Sequence, residues 1–245
     1  MKIDADLFVF PFRDEHWQTK TLIGGLLALV GMLFFPLLLP IYGYSLRILR
    51  HTIHEGQPTL PEWDDWGGLF LDGLRMWVVF FVYLLPVWVL MCAALACWML
   101  PLLTIPFAGS NGEEALLGLT IGGQIAGFAL FALAMLPALF LGYFAVVAVT
   151  RLAALDALNA AFDFRTVWRL GVGGFKHFIL ALLVYYALAL AASYVSSFLI
   201  FTLVLACLYP FALAAWVFFA QVFFGALFGL AYRAAQPAEA VAPAV

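Results

Sequence analysis

The sequence predicts an all-α protein: a polytopic membrane helical bundle with amphipathic helices along its interface. Three observations lead there. Of the 245 residues, 67% are hydrophobic and only 10% charged, whereas a soluble domain carries about 25% charge, so this inventory cannot build a water-facing surface. Four apolar runs are long enough to cross about 30 Å of hydrocarbon. Basic residues gather in alternate connections between those runs, as the positive-inside rule requires.

The apolar runs cover roughly residues 76–100, 119–149, 177–200 and 203–231. The link near 201–203 is short, which predicts a tight hairpin for the last two. A further run, 21–46, holds Gly24, Gly25, Gly31, Pro36 and Pro40. Proline removes a backbone donor and bends or breaks a helix, so two readings stand. The run is either one kinked spanning helix, or a re-entrant hairpin of two half-helices turning near Pro36, which neighbouring helices must bury. Arg47, Arg50 and Arg75 flank one connection, Arg151, Arg165, Arg169 and Lys176 fill another, and Arg233 follows the last run. The opposite connection, 101–118, carries Glu113 and Glu114 instead. This places 47–75, 150–176 and the C-terminus in the cytoplasm. The re-entrant reading is favoured because it puts all 11 basic residues on that side, whereas a single span would leave Lys2, Arg13 and Lys20 outside. The expected organisation is one integral membrane domain over 1–236 with a disordered Pro/Ala-rich tail, 237–245.

Other classes are excluded by residue type. A net charge of -3 without a basic patch argues against nucleic acid as a partner. Cys92, Cys97 and Cys207 lie in apolar runs, where they are small hydrophobes and not a disulfide framework. No Cys or His spacing suggests a metal site, and nothing implies a cofactor. The N-terminal residues, with Asp4, Asp6, Asp14 and Glu15, do not read as a signal peptide.

Three short segments resemble one another: Phe10 to Trp17 (FPFRDEHW), Trp63 to Phe70 (WDDWGGLF) and Phe162 to Leu170 (FDFRTVWRL). Each precedes a membrane run, and the runs end alike, at Tyr44-Ser45-Leu46-Arg47, Val149-Thr150-Arg151 and Tyr232-Arg233. The pattern suggests parallel repeats of an arm plus a helical hairpin. Aromatic and basic residues also gather at every lipid–water boundary, and with such short matches that plainer reading stands beside the first. The second arm is expected to be helical. Thr59-Leu60-Pro61-Glu62 has the form of a capping box with Pro in the first turn, and Trp63, Trp66, Phe70, Leu74 and Trp77 then recur at three- and four-residue steps. The 151–170 segment repeats this with Leu152, Leu155, Leu158 and Phe162 on one stripe.

Gly43 to Arg50 (GYSLRILR), followed by Leu60 to Arg75 (LPEWDDWGGLFLDGLR), together with FPFRDEHWQTKTLIGGLL, AFDFRTVWRL and the closing Tyr232-Arg233, resembles the integral membrane proteins of the domain of unknown function 4013 family, found in archaea and bacteria. The resemblance covers nearly the whole chain. It implies a multi-spanning membrane protein and no activity. His51-Thr52-Ile53-His54 departs from the family pattern in its histidines.

The spanning runs hold no Asp, Glu, Lys or Arg at depth, which counts against a proton-coupled transporter. Gln124, Ser193, Ser196 and Gln221 are the candidate lining of a small polar cavity, set against their commoner role as interhelical hydrogen-bond partners. Gly118, Gly122, Gly123 and Gly127, with Gly225 and Gly229, are expected at close helix contacts. Glu62, Asp64, Asp65 and Asp72 have no accompanying nucleophile or phosphate loop. Their expected role is to cap a helix and pair with Arg47, Arg50 or Arg75. The candidate surface is therefore Tyr44, Arg47, Arg50, Glu62, Trp63, Asp64, Asp65, Trp66, Asp72, Arg75, Asp163 and Arg165. The reading is a non-enzymatic protein of the cytoplasmic membrane, in contact with the lipid bilayer, whose interfacial surface docks a protein partner or supports a homo-oligomer. A transporter or channel component and a lipid-modifying enzyme are the alternatives.

Overall fold

A computed structural model describes residues 6–104, 113–200 and 207–236. The described chain is all-helical, without a strand. Its elements are α1 (Asp6–Val9), α2 (Trp17–Gly31), α3 (Leu39–Glu55), α4 (Trp66–Tyr83), α5 (Leu85–Thr104), α6 (Glu113–Leu155), α7 (Leu158–Ala161), α8 (Phe164–Gly173), α9 (Phe175–Ile200) and α10 (Tyr209–Ala235), with 3-10 turns at Phe10–Arg13 and Phe35–Leu38. Among the described residues, four helices are long and apolar enough to cross a membrane: Trp66–Tyr83, Leu117–Leu155, Phe175–Phe198 and Tyr209–Ala235. This is the pattern of a multi-pass membrane protein. The chain divides into two compact units, Met1–Val79 with Val146–Val245, and Phe80–Ala145.

The first unit is built around α10. Ser45 Oγ donates to the Gln221 carbonyl at 2.7 Å, and Arg233 Nη1 donates to the Ile53 carbonyl at 2.8 Å, so α3 runs parallel to α10. Gly225 and Gly229 permit that approach. A Cβ on Gly225 would lie 2.6 Å from the Ser45 carbonyl, and one on Gly229 2.6 Å from Thr52 Cβ. The N-terminal arm and α2 run the other way along α10: Phe10 meets Phe223, Phe12 meets Phe219, and Gly24 packs on Phe218. On the far side of α10, Tyr185 of α9 meets Phe224 and Phe228.

The run 21–46 is therefore a hairpin of two antiparallel helices. Pro36 and Pro40 do not kink a rod. Each sits in the first turn of a new helical segment, where the missing N–H has no partner to lose. At 1.5 Å per residue, α2 spans about 22 Å and α3 about 26 Å, each short of the hydrocarbon thickness.

Local structure departs from expectation in three places. The 76–100 run is not one span: α4 starts at Trp66, and the helix is interrupted at Leu84. Pro86 has no N–H for the Val82 carbonyl, which accounts for the break. The capping box at Thr59 does not form. Residues 58–65 are not helical, and Asp65 starts the helix instead, its Oδ1 accepting the Gly68 N–H at 3.0 Å. The 151–170 stripe is not one helix either. Asp156, in the left-handed region at φ 48, separates α6 from α7, leaving Leu152 buried and Leu155 exposed. The link at 201–203 and the tail 237–245 lie outside the described residues.

In the second unit, Gly127 takes the Trp98 indole, which lies against Phe128 and Phe131. Gly118 and Gly122 face open space, so the small-residue spacing finds a partner at Gly127 and not at these two.

Candidate functional site

The charged groups of the first unit collect where α3 ends and α4 begins, and two glycines put them there. α3 and α4 cross antiparallel with Gly43 against Gly73. A Cβ on Gly43 would lie 1.9 Å from the Leu69 carbonyl oxygen, and one on Gly73 1.8 Å from that of Leu39. Backbones this close admit only glycine. Beyond the crossing, the α3 arginines fall beside the α4 acids.

Asp72 is 7% exposed and is faced by three guanidiniums: Arg50 Nη1 at 3.5 Å, Arg75 Nη1 at 3.5 Å and Arg47 Nε at 3.7 Å. Arg47 also reaches Asp65 Oδ2 at 2.6 Å. Arg50 and Arg75 meet again on Asp156 Oδ1, at 2.7 and 3.5 Å. Arg50 and Arg75 thus each touch both Asp72 and Asp156, forming a closed ring of alternating charge. Three arginines (47, 50, 75) and three aspartates (65, 72, 156) sum to zero. Arg50 Nε is buried without a hydrogen-bond partner.

The LPEWDDW segment is a strap tied down along its length. The buried Lys20 ammonium lies 2.6 Å from Glu62, 2.8 Å from Asp14 and 3.0 Å from the Leu60 carbonyl. Trp63 Nε1 donates to the Lys20 carbonyl at 3.2 Å. The Trp63 ring stacks on Tyr44, with centroids 4.4 Å apart and planes 13° apart, while Tyr44 donates to the Pro61 carbonyl at 3.0 Å. Asp64 is exposed and accepts the N–H of Asp65. Trp66 is exposed but lies against Trp63 at 5.5 Å.

The third arm follows the same plan. Asp163 Oδ1 accepts the Thr166 N–H at 3.2 Å as the cap of α8, and Arg151 Nη1 lies 3.4 Å from its other oxygen. Arg165 is exposed on α8, apart from the ring. Arg233 sits at the C-terminal end of α3, donating to the Ile53 and His54 carbonyls at 2.8 and 3.3 Å, where a cation suits the helix dipole.

The hydrogen bonds give the three arms a common register. The first helical bonds run from Lys20 to His16, Leu69 to Asp65 and Val167 to Asp163. Counting from those acceptors, the fourth residue is buried in each arm (Lys20, Leu69, Val167) and the eighth is a buried glycine: Gly24, Gly73 and Gly171. Lys20, Asp14, Asp156 and Arg233 belong to this charged end and were not part of the candidate surface expected from sequence. Asp156 carried a signal, as a lone acid between apolar helical stretches. Lys20 carried one only through the register.

Titration follows the ties. Burial raises the Asp14 pKa, but hydrogen bonds from Lys20 and the His16 N–H outweigh it and hold the carboxyl low. The Gly68 N–H and then Arg47 hold Asp65 low. Thr166 and then Arg151 do so for Asp163. Burial pulls the Lys20 ammonium down, but Asp14 and Glu62 outweigh it and hold its pKa above 10.5. The carboxylate contributions are present above the ordinary 3.8 and are lost as pH falls through the lowered values. The Lys20 contribution is present below 10.5 and is lost as pH rises through the raised value. Thermal midpoints measured across pH should therefore be flat from about pH 5 to about pH 9 and fall on both sides.

Among the described residues, no three His, Cys, Asp or Glu side chains are grouped as metal ligands. A cleft of about 460 Å³ opens between the N-terminal arm and the α3–α4 connection, lined by residues that include Arg13, Asp14, Gln57, Thr59 and Leu230. The residues expected to line a polar cavity, Gln124, Ser193, Ser196 and Gln221, lie on three helices. Ser193 is exposed on α9, where its carbonyl accepts from Ser197. Ser196 is half-buried on α9. Gln221 Oε1 is buried without a partner, and Gln124 belongs to the second unit.

A protein-family model described as protein of unknown function (DUF4013) matches residues 26–201. No curated protein and no solved structure matches.

Proposed function

Because this chain belongs to the DUF4013 family, whose description assigns no activity, we propose a function from geometry: a non-enzymatic multi-pass protein of the cytoplasmic membrane whose charged, cytoplasm-facing end docks a segment of a partner protein. One observation carries this reading. Apart from the exposed Asp64, the acids that could have formed a catalytic or ligand cluster are spent on arginines, Lys20 and helix caps, and a cleft remains at the end they rigidify. Its volume falls within the ordinary range for binding sites, and its lining mixes apolar Leu7, Phe10 and Leu230 with Arg13, Asp14, Gln57 and Thr59. Asp65 and Asp72 support this platform and are not the contact surface itself.

The test is a photo-crosslinking residue placed at Gln57 or Thr59 in cells, with Phe198, exposed on α9, as the control position. A discrete protein adduct at 57 and 59 that is missing at 198 is the expected result. An adduct between two copies of the chain would convert the reading to self-assembly. No adduct above the control overturns it.

A further inference from the structure

The three arms share a register but not a charge pattern. α4 carries an exposed apolar row, Trp66, Phe70, Leu74 and Trp77, and α8 carries its counterpart, Phe164, Trp168 and Val172, which Phe175 continues at the start of α9. The positions beside that row differ. Where the second arm has Gly67, Leu71 and Val78, the third has Arg165, Arg169 and Lys176. All three cations are exposed. Among the described residues, every other Lys or Arg is in an ion pair, except Arg233, which bonds to backbone carbonyls. Among the described residues these three have no acid within ion-pair distance, and Arg169 contacts Thr166 Oγ1 at 3.4 Å.

At about 100° per residue, the faces of α8 are ordered. Val167 and Gly171 are buried on one side, Phe164, Trp168 and Val172 form the next stripe, and Arg165 with Arg169 forms the one after. An interfacial helix has this layout, with protein on one face, the hydrocarbon boundary on the next and headgroups on the third. The chain also fixes the depth. α8 ends at Gly173, and after Gly174 the spanning helix α9 begins at Phe175, with only 11% of its apolar window buried inside the protein. The stripe is exposed where the chain enters this helix.

We propose that Arg165, Arg169 and Lys176 form a binding site for the phosphate headgroup of an anionic phospholipid, seated against the Phe164–Trp168–Val172 stripe. Tryptophan and arginine side by side suit it, the indole at headgroup depth and the guanidinium offering a planar fork to phosphate oxygens.

The test uses the full chain reconstituted in vesicles, reading tryptophan quenching by brominated phosphatidylglycerol against brominated phosphatidylcholine. The parent protein should show excess quenching by the anionic lipid, weakening as salt is raised. Removing charge as R165Q/R169Q/K176Q should abolish the excess, roughly fivefold in selectivity per cation, while the charge-preserving R165K/R169K/K176R keeps it. If the neutral triple variant does not reconstitute, R169Q and K176Q singly should each show a partial loss. Equal excess in parent and neutral variants, or equal loss in the charge-preserving one, overturns the proposal.

Discussion

Replacing Asp72 by Asn is expected to lower stability by about 3 kcal/mol, the lower end of the cost of breaking a buried ion pair. The lower end applies because Asp72 is buried while its partners Arg50 and Arg75 are only partly so. The cost comes from what is left behind. Arg47, Arg50 and Arg75 are held together by α3 and α4, and without the Asp72 charge they face one another with only Asp65 and Asp156 to offset them. The thermal midpoint of the protein in nanodiscs is the readout. Asp64→Asn is the matched control. Asp64 is exposed and accepts only its neighbour's N–H, so its change should stay within about 0.5 kcal/mol.

The second large effect is at the helix crossing. Gly43→Ala or Gly73→Ala places a methyl group within 2 Å of a carbonyl oxygen of the facing backbone. A side chain would yield by changing rotamer, but a helix backbone yields only by moving away. The cost should reach the upper end of overpacking penalties, about 3 kcal/mol. The move also pulls Arg47 from Asp65 and Asp72, so thermal stability and the charge ring should fail together. Gly25 tests the alternative that any added methyl group is harmful. It meets nothing within 4 Å, and Gly25→Ala inside α2 should stabilise by about 0.5–1 kcal/mol through helix propensity alone.

The fold class was legible because composition and run length determine it directly. The pairing of acids with Arg47, Arg50 and Arg75 was legible because no other role suited carboxylates with no nucleophile beside them. The helix start was not. Thr59 and Asp65 are both acceptable caps, and local sequence cannot rank them. Asp65 prevails because residues 60–63 are committed to Lys20 and Tyr44, contacts that span 17 to 43 positions of sequence. The break near Leu84 was readable from Pro86, but a hydropathy run averages over a single missing donor. Asp156 was invisible as a ring member because its role depends on Arg50, 106 residues away.

Asp65, Asp72 and Asp156 are neutralised by the protein's own arginines. A double-mutant cycle on Asp72→Asn and Arg50→Gln, read by unfolding in nanodiscs, tests this most directly. The double variant should lose at least about 1 kcal/mol less than the sum of the singles. Additivity within about 0.5 kcal/mol would contradict it and leave Asp72 available to something outside the chain.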